Sequence, residues 1–474
     1  MYYTFSIYDT LSRTKKKFRP ISGEKIRIFV CGPTVYDYSH IGHARTYVVF
    51  DAFAKYLWLK GFEVQYIQNI TNIDDKIIDR AQKLNQDFFQ LAKTFETEYR
   101  NDMENLGIDS VDKYAPATNY MAQIIDQIER LIEKQYAYET TDGIYYDISK
   151  FPQYGKLSGR TSEEAEDGVS RIDESVNKRN KGDFALWKFR KPEEPYWPSP
   201  WGDGRPGWHI EDTAITETEF GPQYDIHGSA RDLIFPHHES EIAQMEAVSG
   251  KTPLVNYWMH TGFLTVNGER MSKSLGNFIT IREFLKKHSK YALRLLILSS
   301  HYRSPIDYKE SAIVQAESNI STVEQFYFAI CKIKEGASYY DMHSKFAEKY
   351  RERFYSELDD DFNTPKALAV IFELIRDVNS LISDKKMGRG EAYSVSSFLN
   401  DANLILGIFD PKKRADIPAE IISLTNKREQ LRKSRNWKDA DKIRSEVEKM
   451  GYTIEDAESG PKVKPARKNR TPEN

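Results

Sequence analysis

The sequence predicts an α/β protein: a Rossmann-like core split by an insertion and followed by helical domains. Three observations carry this. An apolar alternation runs straight into a glycine-containing loop and a helix, a Gly- and Pro-punctuated stretch interrupts the middle of the chain, and the apolar residues beyond about residue 311 step by 3 and 4. At 474 residues the chain exceeds what one core supports, which suggests roughly two to four domains.

Taken in order, Ile26, Ile28 and Val30 alternate with Arg27 and Phe29 as a strand leading into Cys31-Gly32-Pro33. A helix is predicted from Gly42 to about Lys60, broken by Gly61, with a second strand from Val64 to Thr71. This is a βαβ unit whose ligand loop lies at the carboxyl end of the first strand. No Gly-x-Gly-x-x-Gly fingerprint opens the helix, which disfavours a nicotinamide dehydrogenase. From about 140 to 200, Gly143, Gly155, Gly159, Pro192, Pro195, Pro198 and Pro200 break long elements, and Ile144 to Ile148 predicts a strand of a small inserted sheet. The α/β pattern resumes near Gly207.

Ile313, Ala316, Ile320, Val323, Tyr327 and Ile330 form one helical stripe. Leu368, Ile371, Ile375, Val378 and Ile382 form another, after Thr364 as expected N-cap and Pro365 as first helical residue. A last helix pair is expected over about 418–450, closing at Gly451. The tail from Pro461 is basic, lacks an apolar pattern and reads as disordered.

Composition bounds the function. Hydrophobic residues make up 40% and charged residues 29%, and no apolar run approaches the length of a membrane span. The N-terminus lacks the basic-then-apolar plan of a secretion signal, and two cysteines, Cys31 and Cys331, fit a reducing cytosol. A net charge of −3 does not mark a nucleic-acid binder, so any such contact must come from local patches.

Two strings point to ATP chemistry: His40-Ile41-Gly42-His43 and, 230 residues later, Arg270-Met271-Ser272-Lys273-Ser274. Helix N-termini attract anions, so two histidines there suit a triphosphate. Lys273, between Gly268 and Gly276, reads as the cation of a loop that closes over phosphates. Either string alone is weak. Together, in this order, they resemble the paired signatures of class I aminoacyl-tRNA synthetases.

The resemblance extends along the chain. Cys31 to Asp37, Asn69 to Lys76, Lys156 to Arg160, Phe184 to Lys188, Arg205 to Glu211, Phe235 to Glu241 and Asp361 to Pro365 follow in the order seen in the cysteinyl-tRNA synthetase family, over roughly residues 2–456. It implies a catalytic domain in two halves (1–135 and 201–262), a connective insertion (136–200), an ATP loop and stem-contact region (263–310), a tRNA-binding bundle (311–410), an anticodon-end domain (411–460) and a basic tail (461–474).

It also implies a Zn2+ ion at the floor of the amino-acid pocket, taking the substrate's thiolate as a further ligand. The ligands carried over are Cys31, His237 and Glu241, but the position after Glu211, a cysteine in the family, is Asp212. His237 and Glu241, four apart, share a helix face. Zinc accepts carboxylate oxygen, so the set can still bind it, with a harder ligand and a weaker preference for zinc over other divalent ions. The stake is specificity, because serine differs from cysteine by one atom and packing alone discriminates by only ~1–3 kcal/mol.

Further implied residues are Gly32 and Thr71 near the substrate, Trp208 as a wall, Asp232 toward the α-amino group and His227 near the adenosine. His40, His43 and Lys273 are the implied catalytic residues, and Gly42, Arg270, Met271, Ser272 and Ser274 complete the ATP-binding set. Arg270 replaces a lysine of the family and keeps its charge. The implied substrates are ATP with Mg2+, L-cysteine and tRNA(Cys), handled by a cytoplasmic monomer without membrane contact. Basic residues from Lys427 to Arg435 would meet phosphates, and Trp437 either stacks a base or seats the last helix pair. Asp212 leaves two alternatives: a synthetase of altered amino-acid specificity, or an inactive copy that binds tRNA. A relative joining cysteine to a small amine is disfavoured by the tRNA-binding end.

Overall fold

The computed structural model describes residues 4–160, 175–272, 275–412, 419–450, 452–457 and 460–465. Strand β1 (Lys25–Val30) buries Ile26, Ile28, Phe29 and Val30 and runs into the Cys31-Gly32-Pro33 loop. Helix α1 (Ile41–Leu59) follows, stopped where Gly61 adopts a φ of +88°. Strand β2 (Glu63–Ile70) returns parallel to β1, with Ile28 opposite Tyr66. β3 (Lys113–Pro116), β4 (Tyr224–Ala230) and β5 (Val255–Thr261) complete a parallel sheet in the order β5-β4-β1-β2-β3. The chain turns from β1 toward β2 on one side and toward β4 on the other, and such a switch point opens a ligand crevice at the strands' carboxyl ends. Cys31 lies at that end, its N–H donating to Gly228 O at 3.0 Å.

Apolar residues of α1 from Ile41 to Leu57 are buried along nearly its whole length, so this helix lies inside the protein. It carries a buried cation, Arg45, and a buried anion, Asp51. The Arg45 guanidinium donates to the carbonyls of Ile297, His301, Tyr302 and Ser304, and Asp51 pairs with Arg294 at 2.7 Å. Helices α2 (Ile210–Phe220) and α3 (His237–Ser249) pack beneath the other half of the sheet.

The inserted sheet exists and is antiparallel, made of 137–139, 143–146, 184–189 and 204–206. Its last strand lies past residue 200, where the insertion was expected to end. The helical stripe from Ile313 to Ile330 is buried in the helix Glu310–Ile333, which packs with Glu348–Asp359, Thr364–Ser383 and Arg389–Leu406. One cap differs from expectation. Asn363, not Thr364, is the N-cap of the third of these helices, its side chain accepting the Lys366 N–H, a contact worth ~1 kcal/mol.

The chain divides into two compact units, residues 1–410 and 411–474. In the second, helices Ala419–Lys433 and Trp437–Lys449 enclose Ile421, Ile443 and Val447. The expectation of disorder from Pro461 is corrected: Gly460–Pro465 is a strand paired antiparallel with Tyr452–Ala457, placing Val463 opposite the buried Ile454. The expected closing residue Gly451 and the remainder of the tail lie outside the described residues. No described helix is long and apolar enough to cross a membrane.

Candidate active site

Three elements bring a thiol, two carboxylates and an imidazole together. Cys31 follows β1, Asp212 sits in the first turn of α2, and α3 presents His237 and Glu241 one turn apart. All four are buried, and their ligand atoms lie within 4.8 Å of one another. His237 Nε2 stands 3.1 Å from Asp212 Oδ2 and 3.3 Å from Glu241 Oε1. Oxygen and nitrogen ligands held ~2.0–2.1 Å from a tetrahedral ion lie ~3.3 Å apart, so these edges fit a zinc-sized cation.

The electrostatics agree. Both Glu241 oxygens are buried without a hydrogen-bond donor among the described residues. Burial, with Asp212 beside it, pushes the Glu241 carboxyl well above the usual carboxylate range. Burial and the neighbouring Asp212 and Glu241 likewise push the Cys31 thiol up. Two carboxylates and a thiol converging in the interior must either hold protons or share a cation.

Four further imidazoles surround this set, and of these only His227 has a role expected from the sequence. His227, expected near the adenosine, is fully buried with Nε2 at 3.2 Å from Cys31 Sγ and Nδ1 at 2.6 Å from the Tyr224 hydroxyl. The structure therefore brings it to the thiol rather than to His40 and His43. His238 Nε2 also stands 3.2 Å from Cys31 Sγ, with its Nδ1 at 2.9 Å from His260 Nε2. Cys31, His227, His238 and Glu241 form a second possible donor set. The 4.0 Å between His238 Nε2 and Glu241 Oε1 suits a tetrahedral ion less well. His209 completes the layer, its Nδ1 at 2.8 Å from His237 Nδ1. Burial holds His209, His227 and His238 well below the usual histidine range, so they are neutral donors and acceptors near pH 7.

At the start of α1, His40 is the N-cap, its Nδ1 accepting the Gly42 N–H at 3.0 Å. His43 Nδ1 accepts the His40 N–H at 3.3 Å, and the two rings stack at 3.8 Å. Burial lowers His40 to about 4 and His43 well below its usual value, so both are neutral. With each Nδ1 accepting, the ring proton of each sits on Nε2. Two neutral N–H donors thus stand at the positive end of the helix. A Cβ on Gly42 would lie 2.8 Å from the His40 ring and 2.9 Å from Met271 Cε, so the glycine admits both.

Met271 thus places the second signature against the first. Main-chain bonds reinforce the contact: Ile41 N–H donates to Ile279 O at 3.1 Å and Ile281 N–H to Ser39 O at 2.9 Å. Asn277, unassigned from sequence, accepts the Ser272 N–H and donates to Arg270 O. Arg270 is exposed, its guanidinium 4.8 Å from the centre of the Phe263 ring. Lys273 and Ser274 lie outside the described residues.

Of the residues expected near the substrate, Gly32 N–H donates to Asn69 Oδ1 at 2.5 Å, and buried Thr71 pairs through its backbone with Pro33 and Val35. Trp208 stacks on His237 at 4.4 Å. Asp232 is exposed on the short turn Arg231–Ile234. Trp437 is 56% exposed, with the Arg432 guanidinium of the neighbouring helix 5.7 Å from the centre of its ring.

Comparison with known proteins accords with this geometry. Residues 17–318 match the family described as tRNA synthetases class I (C) catalytic domain, and residues 353–410 match the DALR domain. The chain is 44% identical over 466 residues to a cysteine–tRNA ligase of Thermococcus gammatolerans, covering 96% of this chain and 98% of that one. It is 43% identical to the cysteine–tRNA ligase of Alkalilimnicola ehrlichii, with the same coverage. Among solved structures, Mycobacterium tuberculosis methionyl-tRNA synthetase with methionyl-adenylate aligns at a TM-score of 0.59 and 15% identity, covering 80% of this chain and 89% of that chain. A LeuRS–tRNA–LeuAMS complex from Agrobacterium radiobacter aligns at 0.62 and 10% identity, covering 82% and 85%; both show the fold alone. On its catalytic-domain match and its near-full-length relatives, the chain belongs to the cysteinyl-tRNA synthetases of class I.

Proposed function

We propose that this chain activates L-cysteine with ATP and transfers it to the 3′-terminal adenosine of tRNA(Cys), acting as a cytoplasmic monomer. The observation that carries the reading is the pairing of two sites: the buried Cys31-Asp212-His237-Glu241 set, and the His40/His43 helix start locked to the Met271 segment. In the first step a carboxylate oxygen of cysteine attacks the α-phosphorus of ATP, forming the mixed anhydride and releasing pyrophosphate. The Nε2–H groups of His40 and His43 donate to phosphate oxygens as charge builds there, joined by the Lys273 ammonium and by Mg2+ carried in with ATP. In the second step a ribose hydroxyl of the terminal adenosine attacks the activated carbonyl, and AMP leaves. No protein nucleophile is required; positioning and electrostatics carry the rate.

Cys31, Asp212, His237 and Glu241 would hold a Zn2+ ion. When bound, zinc supplies a thiophilic ligand position that an alcohol fills poorly, and so separates cysteine from serine. Gly32, Thr71, Trp208 and Asp232 shape the pocket around the amino acid. The test is amino-acid-dependent ATP–pyrophosphate exchange, cysteine against serine, followed by charging of tRNA(Cys). Exchange selective for cysteine with charging is expected. Exchange with serine as well would move the consequence of Asp212 to specificity, and exchange with neither would sink the activation step.

A further inference from the structure

Asp212 stands where the family has a cysteine, and a carboxylate poses a problem that a thiolate does not. It has two oxygens and can grip an ion with one or both, which changes the coordination number. The structure addresses this choice directly. Asn69, at the carboxyl end of β2 and 2% exposed, donates from Nδ2 to Asp212 Oδ1 at 2.6 Å. Its amide cannot turn over, because the opposite end accepts the Gly32 N–H at 2.5 Å. Gly32 therefore fixes which end of the amide faces Asp212. The same Nδ2 reaches Thr71 Oγ1 at 3.3 Å. With Oδ1 engaged, Oδ2 is the oxygen that faces the cluster, 3.1 Å from His237 Nε2.

We propose that Asn69 is a positioning residue that makes Asp212 a one-oxygen metal ligand. By retaining Oδ1 it limits Asp212 to one bond to the ion and so leaves room in the coordination shell for the substrate's sulfur. The inference rests on the reading of Cys31, Asp212, His237 and Glu241 as a metal site. Outer partners of this kind orient a ligand and set its denticity, and their loss typically costs ~10–100-fold in metal affinity. A cysteine at 212 would offer one donor atom and no choice of grip, so the Asn69 donor would have nothing to decide.

That asymmetry supplies the test. Zinc affinity is measured by competition with a chromophoric chelator on the full chain in four forms: native, Asn69→Ala, Asp212→Cys and the double variant. Asn69→Ala is expected to weaken zinc ~10–100-fold in the native background and no more than ~3-fold beside Asp212→Cys. With Co2+ in place of zinc, Asn69→Ala should lower the visible absorption, as the second oxygen raises the coordination number above four. Asn69→Leu, which fills the same space and gives Asp212 no donor, serves as the second variant if the alanine form does not fold. Equal losses in both backgrounds would overturn the proposal, because Asn69 would then act only by holding Gly32 and the strand. A native protein that takes up no zinc, while Asp212→Cys does, would instead overturn the metal reading of Asp212 and the proposal with it.

Discussion

Replacing Gly32 by alanine tests the close approach of Gly32 to Asn69 on which the proposed cysteine pocket depends. A Cβ built at Gly32 would lie 1.8 Å from the main-chain oxygen of Asn69 and 3.2 Å from Gln68 Cγ. Ordinary contact begins near 3.4 Å, so methyl and carbonyl must part by about 1.6 Å, and neither is the free end of a flexible side chain. The parting pulls on the Gly32 N–H bond to Asn69 Oδ1 and, through Asn69, on Asp212. Overpacking of this kind costs ~1–3 kcal/mol, which a chain of this size can survive. Catalysis should suffer more, since a misplacement of about 1 Å can cost ~10²-fold. The expected outcome is a folded protein whose cysteine-dependent pyrophosphate exchange has fallen ~10²-fold in kcat/KM, with urea unfolding as the control. Exchange within about two-fold of the native rate would refute the reasoning, because it would show that the two strands yield without disturbing the site.

Asp212→Ala removes a proposed ligand outright and should weaken zinc by more than the ~10–100-fold of a lost outer partner, read by metal content after dialysis; full retention would return Asp212 to a mere hydrogen-bonding role. The His40 cap titrates on the acid side. Its folded value of about 4 lies below the usual 6.5, so the stability it contributes is complete above pH 6.5 and is lost as pH falls toward 4. Urea midpoints should drop over that window by an equivalent of up to ~3 kcal/mol, and His40→Asn, which keeps a cap acceptor, should flatten the slope; an unchanged slope would argue against it. Arg294→Ala strands the buried Asp51 with Lys55 as its remaining cation, and a loss of ~3 kcal/mol is expected by denaturant unfolding. A loss under ~1 kcal/mol would mean that Lys55 compensates.

Much of this was legible because it is local. The alternation from Ile26 to Val30, the stripe from Ile313 to Ile330 and the i,i+4 pair His237/Glu241 each follow from a period of 2 or 3.6. Asn69, His238 and His260 escaped notice because their roles arise only when sheet pairing brings β2, β5 and α3 to Cys31, across 38 to 229 residues of sequence. The hairpin at 452–465 escaped because its core is one apolar pair, Ile454 with Val463, too short to show any period. At the cap of the bundle's third helix, Asn363 and Thr364 are both capping residues, and the longer Asn side chain reaches the Lys366 N–H.

The bridge between Ser39–Ile41 and Ile279–Ile281 is held by main-chain hydrogen bonds, with His40 opposite Thr280 and the Phe278 ring edge-on to His40. Such a joint is sensitive to length, because its register is set by main-chain groups that follow one another at a fixed spacing. One residue gained or lost between Met271 and Ile279 would slide the pairing by ~3.3 Å and turn alternate side chains to the opposite face, unseating Phe278 from His40 and Ile281 from the core. Surface loops between the signatures can change in length without disturbing the joint, provided the strands and helices that carry Asp212, His237 and Glu241 stay in place. Spacing near the joint is what this site cannot trade away.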